Sequence, residues 1–276
     1  MIYSSPPNSV RSLEQRLRNL ELSDGLVQRR RVAMALVVVG QLLPEGVIKG
    51  GSAMALRYGQ ATRFTQDLDA ARIADLQHFR SDFEEQLRNG WSGFTGRLLE
   101  KVAPRPLSIP PAYVMQPFEV KLEYLGRPWC TVSFELGHNE LGDAENPEFH
   151  LSSHLIELFN QVGLETPRPV AVMRIDFQIA QKLHAVSAWG SERARDLVDL
   201  QLLAADSVLV REQTRETCVR LFDYRQQQSW PPVIQLGQQW SSLYVAAADG
   251  LDVIPTVEEA VLWVNGFIRT LATVES

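Results

Sequence analysis

The apolar stretch Gly46-Val47-Ile48 runs directly into Lys49-Gly50-Gly51-Ser52 and then into residues 53–58, a succession that reads as a strand, a glycine turn and a helix. Shortly afterwards Phe64, Gln66, Leu68 and Ala70 alternate with Thr65, Asp67 and Asp69, the period of a strand with two faces, which sets both carboxylates on one face. A helix that opens on Gly51-Ser52 presents backbone N–H groups to a phosphate. Two carboxylates at i and i+2 of a strand can hold a hard divalent cation through oxygen. These are the parts that phosphoryl transfer uses. The plainer alternative is a tight turn followed by an exposed edge strand carrying acids. A D-x-D pair alone arises by chance in a chain of this length, so the succession of elements carries the reading.

Around this centre the periodicity predicts an α+β protein, a mixed or antiparallel sheet with flanking helices plus a helical C-terminal domain. Leu13, Leu17 and Leu20 mark one N-terminal helix, residues 28–43 a second and residues 75–88 a third. Residues 104–117, rich in proline, read as an irregular connection. Alternation over 118–124 and 131–136, around Gly126-Arg127-Pro128, predicts a hairpin. From Arg174 onward the pattern is helical, broken at Gly190, Trp230-Pro231-Pro232 and Pro255. Residues 138–169 are expected to be a linker, so the domains are placed at 1–165 and 166–276.

Composition excludes several classes. With 45% apolar and 22% charged residues the chain is neither disordered nor fibrous. The longest apolar run, 32–39, ends at Gly40-Gln41 and has roughly half the length that a bilayer requires. No membrane span and no secretory h-region is read, so a cytoplasmic location is expected. Cys130 and Cys218, the only cysteines, form no C-x-x-C and read as plain buried thiols. A net charge of -6 argues against coating of nucleic acid, which rests on phosphate neutralisation. Arg29-Arg30-Arg31 with Arg11, Arg16 and Arg18 is either a solvated helix face or a local basic patch. His150 and His154 lack the glutamate of a zincin, His184 reads as structural, and Trp230 and Trp240 read as core. No Walker motif, G-x-G-x-x-G or G-x-S-x-G occurs.

A third acid is needed to complete a metal site, and Glu135, Glu119 and Glu123 all compete for that place on alternation alone. In the helical half, Lys182 falls inside the apolar stripe of Ile175, Ile179 and Val186, where it either snorkels or points at a partner. Asp196 lies within the stripe of Leu197, Leu200 and Leu203, with Asp199 at its edge. Buried acids are uncommon without a partner. Lys182 with Asp196 or Asp199 is therefore a structural ion pair or part of an active site, where Lys182 would reach nucleotide phosphate.

The string from Val47 to Ala53, then Arg63-Phe64-Thr65-Gln66-Asp67-Leu68-Asp69, resembles the first motif of the AbiEii/AbiGii toxin family of nucleotidyltransferases. Phe134-Glu135-Leu136-Gly137 resembles the second motif, with Glu for the usual Asp, which favours Glu135 over Glu119 and Glu123. Gln181-Lys182-Leu183-His184-Ala185 resembles the third, with Gln in place of an acid, and Arg195-Asp196-Leu197-Val198-Asp199-Leu200 resembles the fourth. The resemblance covers 49–200; the C-terminal quarter matches nothing in it. It implies a polymerase-beta-like nucleotidyltransferase core, with Asp67, Asp69 and Glu135 on Mg2+ or Mn2+ and Lys49, Gly51, Ser52, Arg63 and Thr65 around the NTP. Lys182 would neutralise phosphate, Glu135 would help activate the acceptor hydroxyl, and Asp196 and Asp199 would be needed for activity. It also implies an RNA acceptor, tRNA foremost, and a cognate antitoxin. The alternatives are an acceptor hydroxyl on a small molecule or protein, or a non-catalytic member that binds nucleotide or a partner.

Overall fold

The computed structural model describes residues 2–20, 23–103 and 114–273. The chain divides into two compact units: Met1–Gln60 with Phe64–Met173, and Ala61–Arg63 with Arg174–Ser276.

In the first unit, β1 (Gly46–Lys49), β2 (Leu68–Arg72), β3 (Phe94–Glu100), β4 (Gln116–Tyr124), β5 (Arg127–Gly137), β6 (Glu148–His150) and β7 (Val170–Val172) form one sheet. Its order is β3-β4-β5-β2-β1-β7-β6. It is mixed: β1 runs antiparallel to β2 and parallel to β7, whereas β2 and β5 are parallel. Around it lie α1 (Val10–Asn19), α2 (Asp24–Leu42), α3 (Gly50–Tyr58), α4 (Leu76–Asn89) and α5 (Ser153–Gln161). Four of these helices begin on side-chain caps, α5 on Ser152 and three others as follows, which satisfy backbone N–H groups that have no partner within the helix. Ser9 Oγ accepts from the Ser12 N–H at 3.2 Å, Ser23 Oγ from the Leu26 N–H at 3.3 Å, and the Asp75 carboxylate from the Gln77 and His78 N–H groups at 2.9 and 3.1 Å.

The apolar run over 32–39 lies in α2, where Met34 to Val39 and Leu42 are all buried. A helix apolar on every side belongs in a core. Among the described residues no helix is long and apolar enough to cross a membrane. Phe79 and Phe83 of α4 lie against Phe134 of β5, with ring centroids 6.4 and 5.3 Å apart. Each such buried ring contributes about 1.5–3 kcal/mol. This packing sets the parity of the sheet: Phe134, Leu136, Leu68, Ala70 and Ile48 are buried, which turns their sequence neighbours to the opposite face.

Four expectations change. The strand expected over 64–70 begins only at Leu68, because β1 ends at Lys49, opposite Asp69, and the first rung to β5 is Leu68 with Phe134. Residues before Leu68 have no ladder to join. Strand β3 has no legible period, since its buried side chains are only Phe94 and Leu98 around Gly96, yet it pairs with β4 over its whole length. Residues 138–169 hold β6 and α5 and are not a linker. Buried Arg57 of α3 donates to the Met173 carbonyl at 2.7 Å and pairs with Glu148 of β6, and the Ser152 N–H donates to the Leu56 carbonyl at 2.8 Å. The unit break consequently falls after Met173, because β7 completes the sheet. Of the proline-rich stretch, residues 104–113 lie outside the described ones, while Gln116 and Pro117 already belong to β4.

The second unit consists, among the described residues, of α6 (Ile175–Val186), α7 (Ala194–Ala204), α8 (Arg211–Arg225), α9 (Trp240–Ala248) and α10 (Val257–Ala272). Leu183, Leu197, Leu200, Leu221, Phe222, Tyr244 and Val264 are buried in it. The Tyr244 hydroxyl donates to the Ile254 carbonyl at 2.6 Å and accepts from Gln201 at 3.0 Å. Trp240 is core, as expected.

Candidate active site

Register aligns Lys49 of β1 opposite Asp69 of β2, and Asp69 beside Glu135 of β5. The three side chains form one row across three strands, on the face turned away from Phe134. Glu135 is exposed, yet its carboxyl is pushed above the usual carboxylate range, first by partial burial and then by the negative charges of Asp69 and Asp67, against the pull of Lys49. Glu119, the rival on β4, is instead engaged by Lys101 at 2.5 Å, and that pairing holds its carboxyl below the usual range. Glu123 lies at a register shift between β4 and β5. The structure thus brings Glu135, and neither rival, to Asp69.

Asp67 precedes β2, and its position is fixed through its backbone. The Ser52 hydroxyl, fully buried, donates to the Asp67 carbonyl at 2.5 Å, and the Thr65 hydroxyl approaches the same oxygen at 3.4 Å. Ser52 and Thr65 therefore act on the bend that carries Asp67. Gly50 has φ +62°, and a Cβ there would collide with Oδ2 of Asp69. Gly137 leaves room for the Lys49 amine, whose Nζ lies 2.9 Å from where an alanine Cβ would stand. Sequence reasoning missed the steric roles of both glycines, although the Gly50-Gly51 pair and the glycine two residues after Glu135 were their signal. Helix α3 starts at Gly50 without any side-chain cap hydrogen bond, so Gly51 and Ser52 stand at an uncapped helix N-terminus beside Asp69.

Asp67, Asp69 and Glu135 offer only carboxylate oxygens, the donors that Mg2+ or Mn2+ takes. The mutual repulsion registered at Glu135 is what a cation would relieve. Among the described residues no three His, Cys, Asp or Glu side chains are gathered closely enough to hold a metal ion. The trio fits such an ion by donor type and by charge, and its side chains must move closer together to enclose one.

In the second unit, Lys182 of α6 donates to Asp196 at 3.0 Å and to Asp199 at 2.6 Å, both on α7. Arg63 grips Asp199 with two nitrogens at 3.0 and 2.9 Å. Lys182, Asp196 and Asp199 are all buried. Burial pulls the lysine down, but Asp196 and Asp199 more than offset it and hold its ammonium above the usual value. Burial pushes Asp199 up, but Lys182 and Arg63 prevail and hold it below the usual range. Lys182 therefore takes both aspartates as partners, and Arg63, expected at the nucleotide, is committed to the same network.

The basic N-terminal segment is largely structural. Arg31 pairs with Glu14, whose carboxylate also accepts from Trp129 at 2.8 Å. Arg16 donates to the carbonyls of Ser5 and Val162 at 2.5 and 2.8 Å, and Arg29 lies over the Phe64 ring. His184 is buried edge-on against Phe222, and His150 lies 3.5 Å from Glu148. Cys218 is buried; Cys130 is only half-buried, its thiol pushed up to about 12 by burial.

A mixed sheet flanked by helices, with acids ranked beside a glycine-led helix N-terminus, is the core of a nucleotidyltransferase. The family model described as "Nucleotidyl transferase AbiEii toxin, Type IV TA system" matches residues 36–261, and the chain belongs to that family. The structure resembles that of MenT4, a nucleotidyltransferase toxin of Mycobacterium tuberculosis H37Rv, at 18% identity and TM-score 0.53, covering 93% of this chain and 91% of that one. It also matches an H. pylori protein described as a nucleotidyltransferase at 17% identity, covering 91% of this chain and 96% of that one, with a TM-score of only 0.44. No curated protein matches the sequence.

Proposed function

We propose that the chain transfers a nucleoside monophosphate from an NTP to a hydroxyl of an RNA acceptor, tRNA foremost, with Mg2+ or Mn2+ at Asp67, Asp69 and Glu135. The row of Lys49, Asp69 and Glu135 carries this reading, because register alone assembles it on one face. When bound, the cation supplies charge neutralisation of the triphosphate and of the departing pyrophosphate. The N–H groups at the start of α3 and the Lys49 ammonium hold phosphate oxygens. The acceptor oxygen forms a bond to the α-phosphorus as the bond to the bridging oxygen of pyrophosphate breaks. The hydroxyl proton passes to the Glu135 carboxylate, which stands in the same row.

Arg63, Lys182, Asp196 and Asp199 serve this reading as the anchor of the segment Ala61–Arg63, which leads along the chain into Asp67. Restraint by a cognate antitoxin accords with the toxin family. A small-molecule or protein hydroxyl as acceptor is favoured by the net charge of -6 and by the arginines consumed in the N-terminal segment.

The test supplies each α-32P-labelled NTP with total RNA and with protein alone. Label on RNA is expected, and its loss in Asp67→Ala. Label only on protein or on a small molecule replaces the RNA acceptor, and no label in any fraction favours a non-catalytic binder.

A further inference from the structure

We infer that Trp189 is a platform on which an unpaired base of single-stranded RNA stacks, with Arg193 and Arg195 holding the phosphates beside it. The inference rests on the RNA reading above. Trp189 is 97% exposed, whereas Trp240 is 2% exposed. A tryptophan ring carries roughly 150–250 Å2 of surface that folding usually covers. Here nothing in the fold uses it.

The loop that presents it is firmly built. Gly190 turns the chain with φ +68°, the Ser191 N–H donates to the Ala188 carbonyl at 3.0 Å, and the Ser191 hydroxyl donates to the Ala185 carbonyl at 2.9 Å. That hydroxyl also accepts from the Arg193 N–H at 3.2 Å, and the Trp240 indole N–H donates to the Ser191 carbonyl at 2.6 Å. The backbone on either side of Trp189 is therefore held while the ring stands in water. Among the described residues the other apolar one exposed this far, Val102 at 91%, adjoins a segment outside them.

Chemistry around the ring favours a base over a protein partner. A protein anchor is surrounded by further contacts that exclude water. The neighbours of Trp189 in the loop are Ser187, Ala188, Gly190, Ser191 and Glu192, which are small or polar. Stacking on single-stranded nucleic acid needs only one ring and nearby cations. Arg193 and Arg195 are exposed within six residues of the ring, on a chain whose net charge is -6. Of the acids nearby, Asp196 is held by Lys182 at 3.0 Å and lies 4.0 Å from the half-exposed Arg193 guanidinium, and Glu192 is the other opposing charge. The loop also joins α6 to α7, the helices that carry Lys182 and Asp196.

The experiment measures fluorescence anisotropy of a fluorescein-labelled single-stranded RNA dodecamer with the full chain, alongside KM for RNA and for NTP. Trp189→Ala is expected to weaken RNA binding roughly 5- to 150-fold, the alanine-scan range for one stacked base, while Trp189→Phe retains most of it. NTP KM and melting temperature stay unchanged, because the ring packs on nothing. The salt slope stays unchanged in Trp189→Ala and flattens in Arg193→Gln/Arg195→Gln. Wild-type affinity in Trp189→Ala, equal loss in Trp189→Phe, absence of any RNA binding by wild type, or a loss confined to a protein partner each overturns the platform. Labelling of RNA with no dependence on Trp189 rejects the platform alone; Trp189-dependent binding without labelling rejects the acceptor reading alone.

Discussion

On the sheet, Glu135 has the carboxylates of Asp69 and Asp67 for neighbours and Lys49 as counter-charge; on the helices, Asp199 has the two cations Lys182 and Arg63. The shifts run in opposite directions, upward for Glu135 and downward for Asp199. An excess of negative charge on a solvent-facing row is tolerable when a cationic ligand completes it. A buried set in which two cations meet two carboxylates is already balanced within itself. Residues of the same types, drawn from neighbouring family motifs, thus divide into a solvent-facing row rich in negative charge and a buried, charge-balanced set. Burial and charge balance make the division, which residue identity does not.

Breaking the anchor has the largest expected effect. Lys182→Met leaves buried Asp199 with Arg63 and buried Asp196 with only the Arg193 guanidinium 4.0 Å away, and should cost about 3–5 kcal/mol of stability, read by denaturant unfolding. Asp199 is depressed, so its share of stability is present above the ordinary carboxylate pKa and fades as pH falls through the depressed value. Lys182 is raised, so its share is present below the ordinary lysine pKa and fades as pH rises through the raised value. In the variant the acid limb of stability should move to higher pH. Wild-type stability with a weakened affinity for NTP would instead make Lys182 a phosphate ligand.

The row should answer oppositely. Asp69→Asn is expected to reduce transfer by more than about 100-fold, beyond what residues one step removed from a metal cost, while leaving stability equal or slightly higher. Glu135 is raised, so ionising it costs stability as pH rises through its raised value; removing the Asp69 charge should shrink that loss. Mg2+ should raise the melting temperature of wild type and leave Asp69→Asn unmoved. An equal Mg2+ response in both proteins would take the metal away from this row.

Much of this row was legible, because strand parity and a glycine turn are local signals. The succession from Val47 to Ser52, with Asp69, needed only periodicity, although periodicity drew the strand over 64–70 and so included Asp67, which precedes β2 in the structure. The choice of Glu135 among three acids was not legible from alternation, since register between β2 and β5 is set by Phe134 packing on α4. Lys182 announced itself by interrupting an apolar stripe. Its joint hold on Asp196 and Asp199, and the arrival of Arg63 from 136 residues away, are tertiary facts that helical spacing cannot carry. The strands β3 and β6 were hidden for a simpler reason: short or glycine-interrupted edge strands bury too few side chains to show a period.

The smallest expected effect tests whether the row is a set of positions or a set of charges. In Gly137→Ala every charge remains, but the new Cβ would stand 2.9 Å from Lys49 Nζ, and the nearest backbone atom, the Ala70 carbonyl oxygen, is at an ordinary 3.6 Å. The flexible end of Lys49 yields, and the strand does not. Gly137 is not among the residues with positive φ, so alanine should leave stability unchanged or raise it by about 0.4–1 kcal/mol through the unfolded chain. Moving the amine off its place opposite Asp69 should raise KM for NTP a few-fold, on the order of the 1 kcal/mol that one displaced charge contributes at an exposed site. Unchanged KM would mean that Lys49 acts only as a diffuse counter-charge to Asp69 and Glu135. A large loss of stability would mean that the glycine serves the fold, and the acid-x-glycine pattern of β5 would then be architectural.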